Sequence, residues 1–101
     1  MFTVTINGET RDATDVPESW INQQINQRRR DGISPCVRVR IKTSDVDVGL
    51  TTPQCRGAAG GRRLTSREAQ IIDLWRKRGL TNDEFTGGNV VAFLRQVQTL
   101  L

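Results

Sequence analysis

Cys36 and Cys55 are the only thiols in a chain that holds no histidine. Without imidazole there is no Ser-His or Cys-His nucleophilic pair and no histidine general base. The commonest metal ligand is missing too, and two thiolates cannot close a tetrahedral zinc site within one chain. The Asp and Glu residues fall at helix caps, hairpin faces and turns, and none lies in an apolar run that would raise its pKa. The reading is therefore a non-enzymatic protein with no catalytic residues, no metal and no cofactor. A bond between Cys36 and Cys55 is geometrically open, because a hairpin would set Cys36 opposite Thr51, with Cys55 one short turn beyond. Met1 to Ile6 has no basic stretch leading into an apolar one, so no signal peptide is expected and the cytoplasm is the default compartment. Free, buried thiols are the expectation in that setting.

Phosphate chemistry is the next question. Gly57, Gly60 and Gly61 precede a helix start, where backbone N–H groups can hold an anion. No Gly-Lys-Ser or Gly-Lys-Thr follows, so a linker is the plainer reading. Basic residues outnumber acidic ones to give +4, with thirteen Arg against two Lys. Such a charge supports solubility and weak attraction to polyanions without naming a partner. The row Arg38, Arg40, Lys42 alternates along one face of a strand, but the returning arm sets Asp45 and Asp47 against it. A row that neutralises itself is a poor nucleic-acid groove. Candidate anion contacts lie instead at Arg62, Arg63, Arg67, Arg76, Lys77 and Arg78.

Those residues surround a segment with a more specific pattern. Leu64-Thr65-Ser66-Arg67-Glu68, then Ile71, Ile72 and Leu74, then Gly79-Leu80-Thr81-Asn82-Asp83-Glu84, resembles the first half of a LuxR-type helix-turn-helix. The resemblance spans 64–84 of 101 residues and implies a scaffold helix followed by the start of a recognition helix. What it implies for function is a nucleic-acid-binding transcriptional regulator with a degenerate helix-turn-helix in 64–101. It is degenerate because Gly87-Gly88 interrupts the lead-in, and Arg95 is the one basic residue of the final helix.

The elements that carry these residues follow from periodicity. Phe2, Val4 and Ile6 alternate with Thr3 and Thr5, which marks a half-buried strand. Asn7-Gly8 supplies the positive φ angles of a tight hairpin, and Glu9 to Ala13 returns as an edge strand. Asp15 is placed to cap a helix, with Pro17 in its first turn and Glu18 completing a capping box. Val16, Trp20, Ile21 and Ile25 form its apolar stripe. Arg28, Arg29 and Arg30 close it, and Asp31-Gly32 ends it. Val37, Val39 and Ile41 then pair with Val46, Val48 and Leu50 in a hairpin turning at Thr43-Ser44. That register puts Ile41 opposite Val46, Lys42 against Asp45 and Arg40 against Asp47.

Pro53 to Arg63 reads as a Gly/Arg loop. Beyond it, Thr65 and Glu68 form a second capping box, Ile71, Ile72 and Trp75 a buried stripe, and Gly79 a stop. Thr81 to Glu84 starts a short helical turn carrying Phe85. A last helix runs from about Asn89 to the terminus.

The expected fold class is α+β: a ββαββ-like small sheet packed on one helix, followed by a C-terminal two- or three-helix segment. The chain reads as one domain, 1–101, with a sheet-and-helix half at 1–52, the loop at 53–63 and a helical half at 64–101. The element order of the first half is similar to the start of a β-grasp domain. The apolar C-terminal helix must dock on its own domain or on a partner. Trp20, Trp75, Phe85, Val91, Phe93, Leu100 and Leu101 are the candidate interaction surface. The function expected is that of an accessory or adaptor domain that binds a protein partner or a second copy of itself. Nucleic acid is the alternative partner, and no run of apolar residues is long enough to suggest a membrane span.

Overall fold

The computed structural model describes residues 2–55 and 63–101. Two hairpins and the helix between them build the first half: β1 (Phe2–Ile6), β2 (Glu9–Asp12), α1 (Glu18–Arg30), β3 (Val37–Lys42) and β4 (Asp47–Thr51). Two longer helices follow, α2 (Ser66–Lys77) and α3 (Gly87–Leu100). The strands form one sheet in the order β2-β1-β3-β4, and every neighbouring pair is antiparallel. This is the α+β architecture expected.

Period-two alternation decides the layers. Val4, Ile6, Val37, Val39, Ile41, Val48 and Leu50 point to one side of the sheet and are buried there. They meet Ile21 and Ile25 of α1, Ile71 and Trp75 of α2, and Phe93 and Val97 of α3 in one apolar cluster. Trp75 and Phe93 pack edge to face with ring centroids 5.1 Å apart, an arrangement favoured by the ring quadrupoles. The opposite side carries Thr3, Thr5, Arg38, Arg40 and Lys42, with no helix over it among the described residues.

Local signals set most of the ends. Asn7 (φ 56°) and Gly8 (φ 82°) turn the first hairpin. Gly32 ends α1 in the left-handed region: its N–H donates to the Arg29 carbonyl at 3.1 Å, and Ile33 N–H donates to that of Arg28 at 2.9 Å. Gly79 and Leu80 repeat this arrangement at the end of α2, donating to the carbonyls of Arg76 and Trp75 at 3.0 and 3.2 Å. Both are Schellman caps. The Thr65/Glu68 capping box is present as read.

Five local expectations are corrected. The second hairpin turns at Ser44-Asp45, not Thr43-Ser44. Thr43 N–H donates to the Val46 carbonyl at 2.7 Å, and Ile41 lies opposite Val48, Arg40 opposite Gly49 and Lys42 opposite Asp47. The Thr43 hydroxyl holds this turn, accepting from Asp45 and Val46 N–H at 3.4 and 3.1 Å. A two-residue shift keeps every side chain on its face, so hydrophobicity does not choose between the registers.

Asp15 does not cap α1. Pro17 occupies that position without a side-chain bond, and Asp12 instead forms a turn ahead of the helix. Its Oδ1 accepts from Thr14 N–H and Oγ1 at 2.9 and 2.7 Å. Those bonds, the side-chain one foremost, hold the Asp12 carboxyl below the usual carboxylate range. Thr81–Glu84 forms turns rather than a helical turn. Asn82 Oδ1 accepts from Glu84 N–H at 3.0 Å, the local side-chain bond that competes with helix.

Nor do Gly87 and Gly88 interrupt the last helix; they are its first turn. Thr86 caps it in a capping box with Asn89. Gly87 is required because α1 passes so close: its N–H donates to Asn22 Oδ1 at 3.0 Å, and a Cβ there would collide with the Asn22 amide.

Finally, Cys36 and Cys55 are joined by a disulfide, with Cα atoms 4.9 Å apart. Thr52 prepares it, donating its N–H to the Val37 carbonyl at 3.1 Å and accepting from Val37 N–H at 3.0 Å through its buried hydroxyl. Thr52-Pro53-Gln54-Cys55 then closes a turn, Cys55 N–H to Thr52 carbonyl at 3.1 Å. Proline suits the second position of such a turn, which folds Cys55 back onto Cys36.

Candidate functional site

The aromatic and apolar residues expected at an interface lie mostly inside this chain. Trp20, Trp75, Phe85, Val91 and Phe93 are all buried in its own core. Leu100 is half-buried, packed against the edge of that core, and Leu101 is 44% exposed. Ile33 and Leu64 are exposed elsewhere, whereas the candidates left accessible are Leu100 and Leu101, at the C-terminal end of α3. There, α2 and α3 leave a groove of about 450 Å³ lined by Leu74, Arg95, Gln96, Thr99 and Leu100.

The groove has a clear local origin. Leu74 lies one residue before the buried Trp75, so it faces the seam between α2 and α3 instead of the sheet. Leu100 comes three residues after the buried Val97, near one helical turn, and half-covers the same seam. Arg78, just past the end of α2, donates Nε to Gln96 Oε1 at 2.7 Å and fixes the distance between the two helices at the groove. The result is an apolar floor with polar edges, in which Arg95 is the one charged lining residue.

The described candidate anion contacts fall at the two ends of α2, Arg63 and Arg67 at its start and Arg76, Lys77 and Arg78 at its end. Arg67 is exposed and pairs with Asp45 at 3.8 Å. Arg63, Arg76 and Lys77 are exposed, and Arg78 is half-buried by its bond to Gln96. Arg62 lies outside the described residues, as do Gly57, Gly60 and Gly61. Nine residues, 78–86, separate α2 from α3, where a helix-turn-helix has three or four. Val90, Val91, Phe93, Leu94 and Val97 of α3 face the core, so the helix in the recognition position spends most of its surface on packing.

Two polar devices were not foreseen. Glu68 is almost fully buried and accepts two backbone N–H groups at 2.9 Å: Thr65, within its own capping box, and Asp47, the first residue of β4. The capping box is a local pattern; its second use as a tie to the sheet edge has no local signal. Arg29 reaches from the end of α1 across to the 78–86 connection, donating to the carbonyls of Asp83 and Phe85 at 2.8 Å each and lying 5.3 Å from the Phe85 ring centroid. It holds the connection that sets the angle between α2 and α3.

Among the described residues no group of three or more His, Cys, Asp or Glu is placed to hold a metal ion. None of their helices is long and apolar enough to cross a membrane. No family model, curated protein or solved structure gives a significant match to this chain.

Proposed function

We propose that the chain is a non-enzymatic accessory module that captures a protein segment in the groove between α2 and α3. The observation that carries this reading is the apolar floor of Leu74 and Leu100, continued by the exposed Leu101, in a seam whose remaining side chains are polar. Arg95 in the lining, with exposed Lys77 and Arg76 near the end of α2, favours a partner with an apolar anchor and acidic flanks. That is the helix-in-groove mode, in which spaced apolar side chains enter and charged ones select.

A nucleic-acid role has less support, because the basic side chains of 63–78 are dispersed and α3 is committed to the core. The disulfide fits an oxidising compartment better than the cytoplasm. Capture from the native host, with eluates analysed for both protein and nucleic acid, tests the reading against its alternative. Leu74→Glu and Leu100→Glu should each abolish retention of a protein partner with the melting transition kept. Retention of nucleic acid instead, or a protein partner unaffected by both changes, would overturn it.

A further inference from the structure

The β1–β2 turn carries a side-chain amide that is held at both ends by another element. Asn7 Oδ1 accepts from Arg28 Nε at 2.6 Å, and its Nδ2 donates to Gln24 Oε1 at 3.0 Å and to the Gln24 carbonyl at 3.4 Å. Both partners belong to α1. Asn7 is half-buried and sits at φ 56°, a conformation that asparagine tolerates better than most residues. Gly8 beside it has the opposite surroundings. It is exposed, its φ is 82°, and nothing lies within 4 Å of where a Cβ would stand. Its N–H makes no hydrogen bond among the described residues.

An asparagine followed by glycine is open to attack by its own main chain, because glycine puts no side chain in the way of the following nitrogen. That pairing occurs once here: Asn22, Asn26, Asn82 and Asn89 precede Gln, Gln, Asp and Val. At Asn7-Gly8 the nucleophile is exposed and the electrophile is tied. For Gly8 N to reach Asn7 Cγ, the amide must first leave Arg28 and Gln24.

From this arrangement we propose that Asn7 is a latent deamidation site, shielded while the β1–β2 turn is docked on α1 and modified when the turn lifts off. The co-reactant is water. Gly8 N bonds to Asn7 Cγ and gives up its proton to solvent. The Cγ–Nδ2 bond breaks, and Nδ2 takes a proton and departs as ammonia, leaving a succinimide. Water then opens that ring. Hydrolysis at Cγ restores the ordinary main chain with an aspartate side chain. Hydrolysis at the Asn7 main-chain carbonyl carbon leaves isoaspartate, whose main chain runs through Cγ.

Neither product restores the tie. An ionised carboxylate keeps an acceptor for Arg28 Nε but has no donor for the two Gln24 oxygens. The extra main-chain carbon of isoaspartate does not fit a two-residue hairpin turn. The change therefore works in one direction, and a turn that has opened and reacted docks less well afterwards. The site involves the first hairpin and α1 alone and does not depend on how the α2–α3 groove is used.

The test is peptide mapping by mass spectrometry of the full chain aged in mildly alkaline, isotope-labelled water, folded and denatured side by side. The denatured chain should react at Asn7 ahead of its four other asparagines. The folded chain should react there at least about tenfold more slowly, since release of the amide needs local opening. Arg28→Gln and Gln24→Ala each remove one tie and should raise the folded rate severalfold, with the denatured rate unchanged. Arg30→Gln, on the same helix without a bond to Asn7, should age as the unaltered chain does. Melting curves establish that each variant is folded at the ageing temperature, and the folded-to-denatured ratio of the unaltered chain needs no variant. A folded rate equal to the denatured one, no reaction at Asn7 in denaturant, or folded rates untouched by both substitutions would each overturn the proposal.

Discussion

Two adjacent glycines behave as opposites, and neighbours on another helix decide which is which. Gly87 meets the Asn22 side chain and lies within 3.1 Å of its backbone nitrogen at the point where a Cβ would go. Gly88, one residue on, would meet the far end of Glu18 at 3.1 Å and the Thr86 hydroxyl at an ordinary 3.6 Å. Gly87→Ala should therefore push α3 away from α1 and sacrifice the Asn22 bond, at a cost of about 1–3 kcal/mol, the usual range for overpacking. Gly88→Ala needs only a shift of a flexible side chain and gains helix propensity, up to roughly 1 kcal/mol. Urea unfolding of both variants checks the contrast; equal effects would mean that the close approach of the two helices is misplaced.

At the scale of elements, the second hairpin and the start of α2 make the sharpest predictions. Val39 is buried, and its strand neighbours are Val4 and Leu50. Val39→Asp puts an uncompensated carboxylate there, which costs about 3–5 kcal/mol, a large part of a typical margin of roughly 5–15 kcal/mol. Arg40 is on the other face, 60% exposed and 3.3 Å from Asp47. Its replacement by Ala should stay within about 1 kcal/mol. Thermal melts of the two variants report directly on which face of β3 is covered.

At α2, Thr65→Ala removes one cap bond and should cost about 0.5–2 kcal/mol. Glu68→Ala should cost more, because two part-buried backbone N–H groups lose their acceptor, and a buried donor left without one costs up to roughly 1–3 kcal/mol. Hydrogen exchange at Asp47 separates the two variants: its amide should lose protection in Glu68→Ala and keep it in Thr65→Ala.

Across the whole molecule, the disulfide is the long constraint. It closes a loop with a sequence separation of 19, for which chain-entropy arguments give about 3 kcal/mol of stabilisation. The Cys36→Ser/Cys55→Ser double variant should keep the sheet, since Thr52 and Val37 remain paired, and should unfold at lower denaturant by that amount. Thiol titration of the unreduced, denatured protein should find no free thiol. Two free thiols per chain, or a double variant as stable as the original, would show that the cross-link is dispensable. The same variant also tests the compartment, because a chain that needs the bond must mature where thiols are oxidised.

The sequence by itself determined the elements and the side of each that faces the core. Alternation in Phe2–Ile6 and Val37–Lys42 and the helical stripe of Trp20, Ile21 and Ile25 are set by backbone periods that need no partner to be read. Asn7-Gly8, Gly32, Gly79 and the Thr65/Glu68 box were legible because their bonds close within a few residues.

Whatever depended on a distant neighbour was left to the tertiary structure. A hairpin register displaced by two residues preserves every face, so the Thr43 turn bonds chose it. Trp20, Trp75, Phe85, Val91 and Phe93 have the chemistry of interface anchors and the burial of core residues, and only the packing of three helices over one sheet distinguishes the two. Gly87 has the local signature of a break, and only Asn22, 65 positions earlier and bonded to its N–H, makes it the start of a helix. Arg29 and the Asp83 and Phe85 carbonyls it bonds belong to different elements, and nothing in their spacing joins them. Long-range contacts of that kind come only from the folded chain.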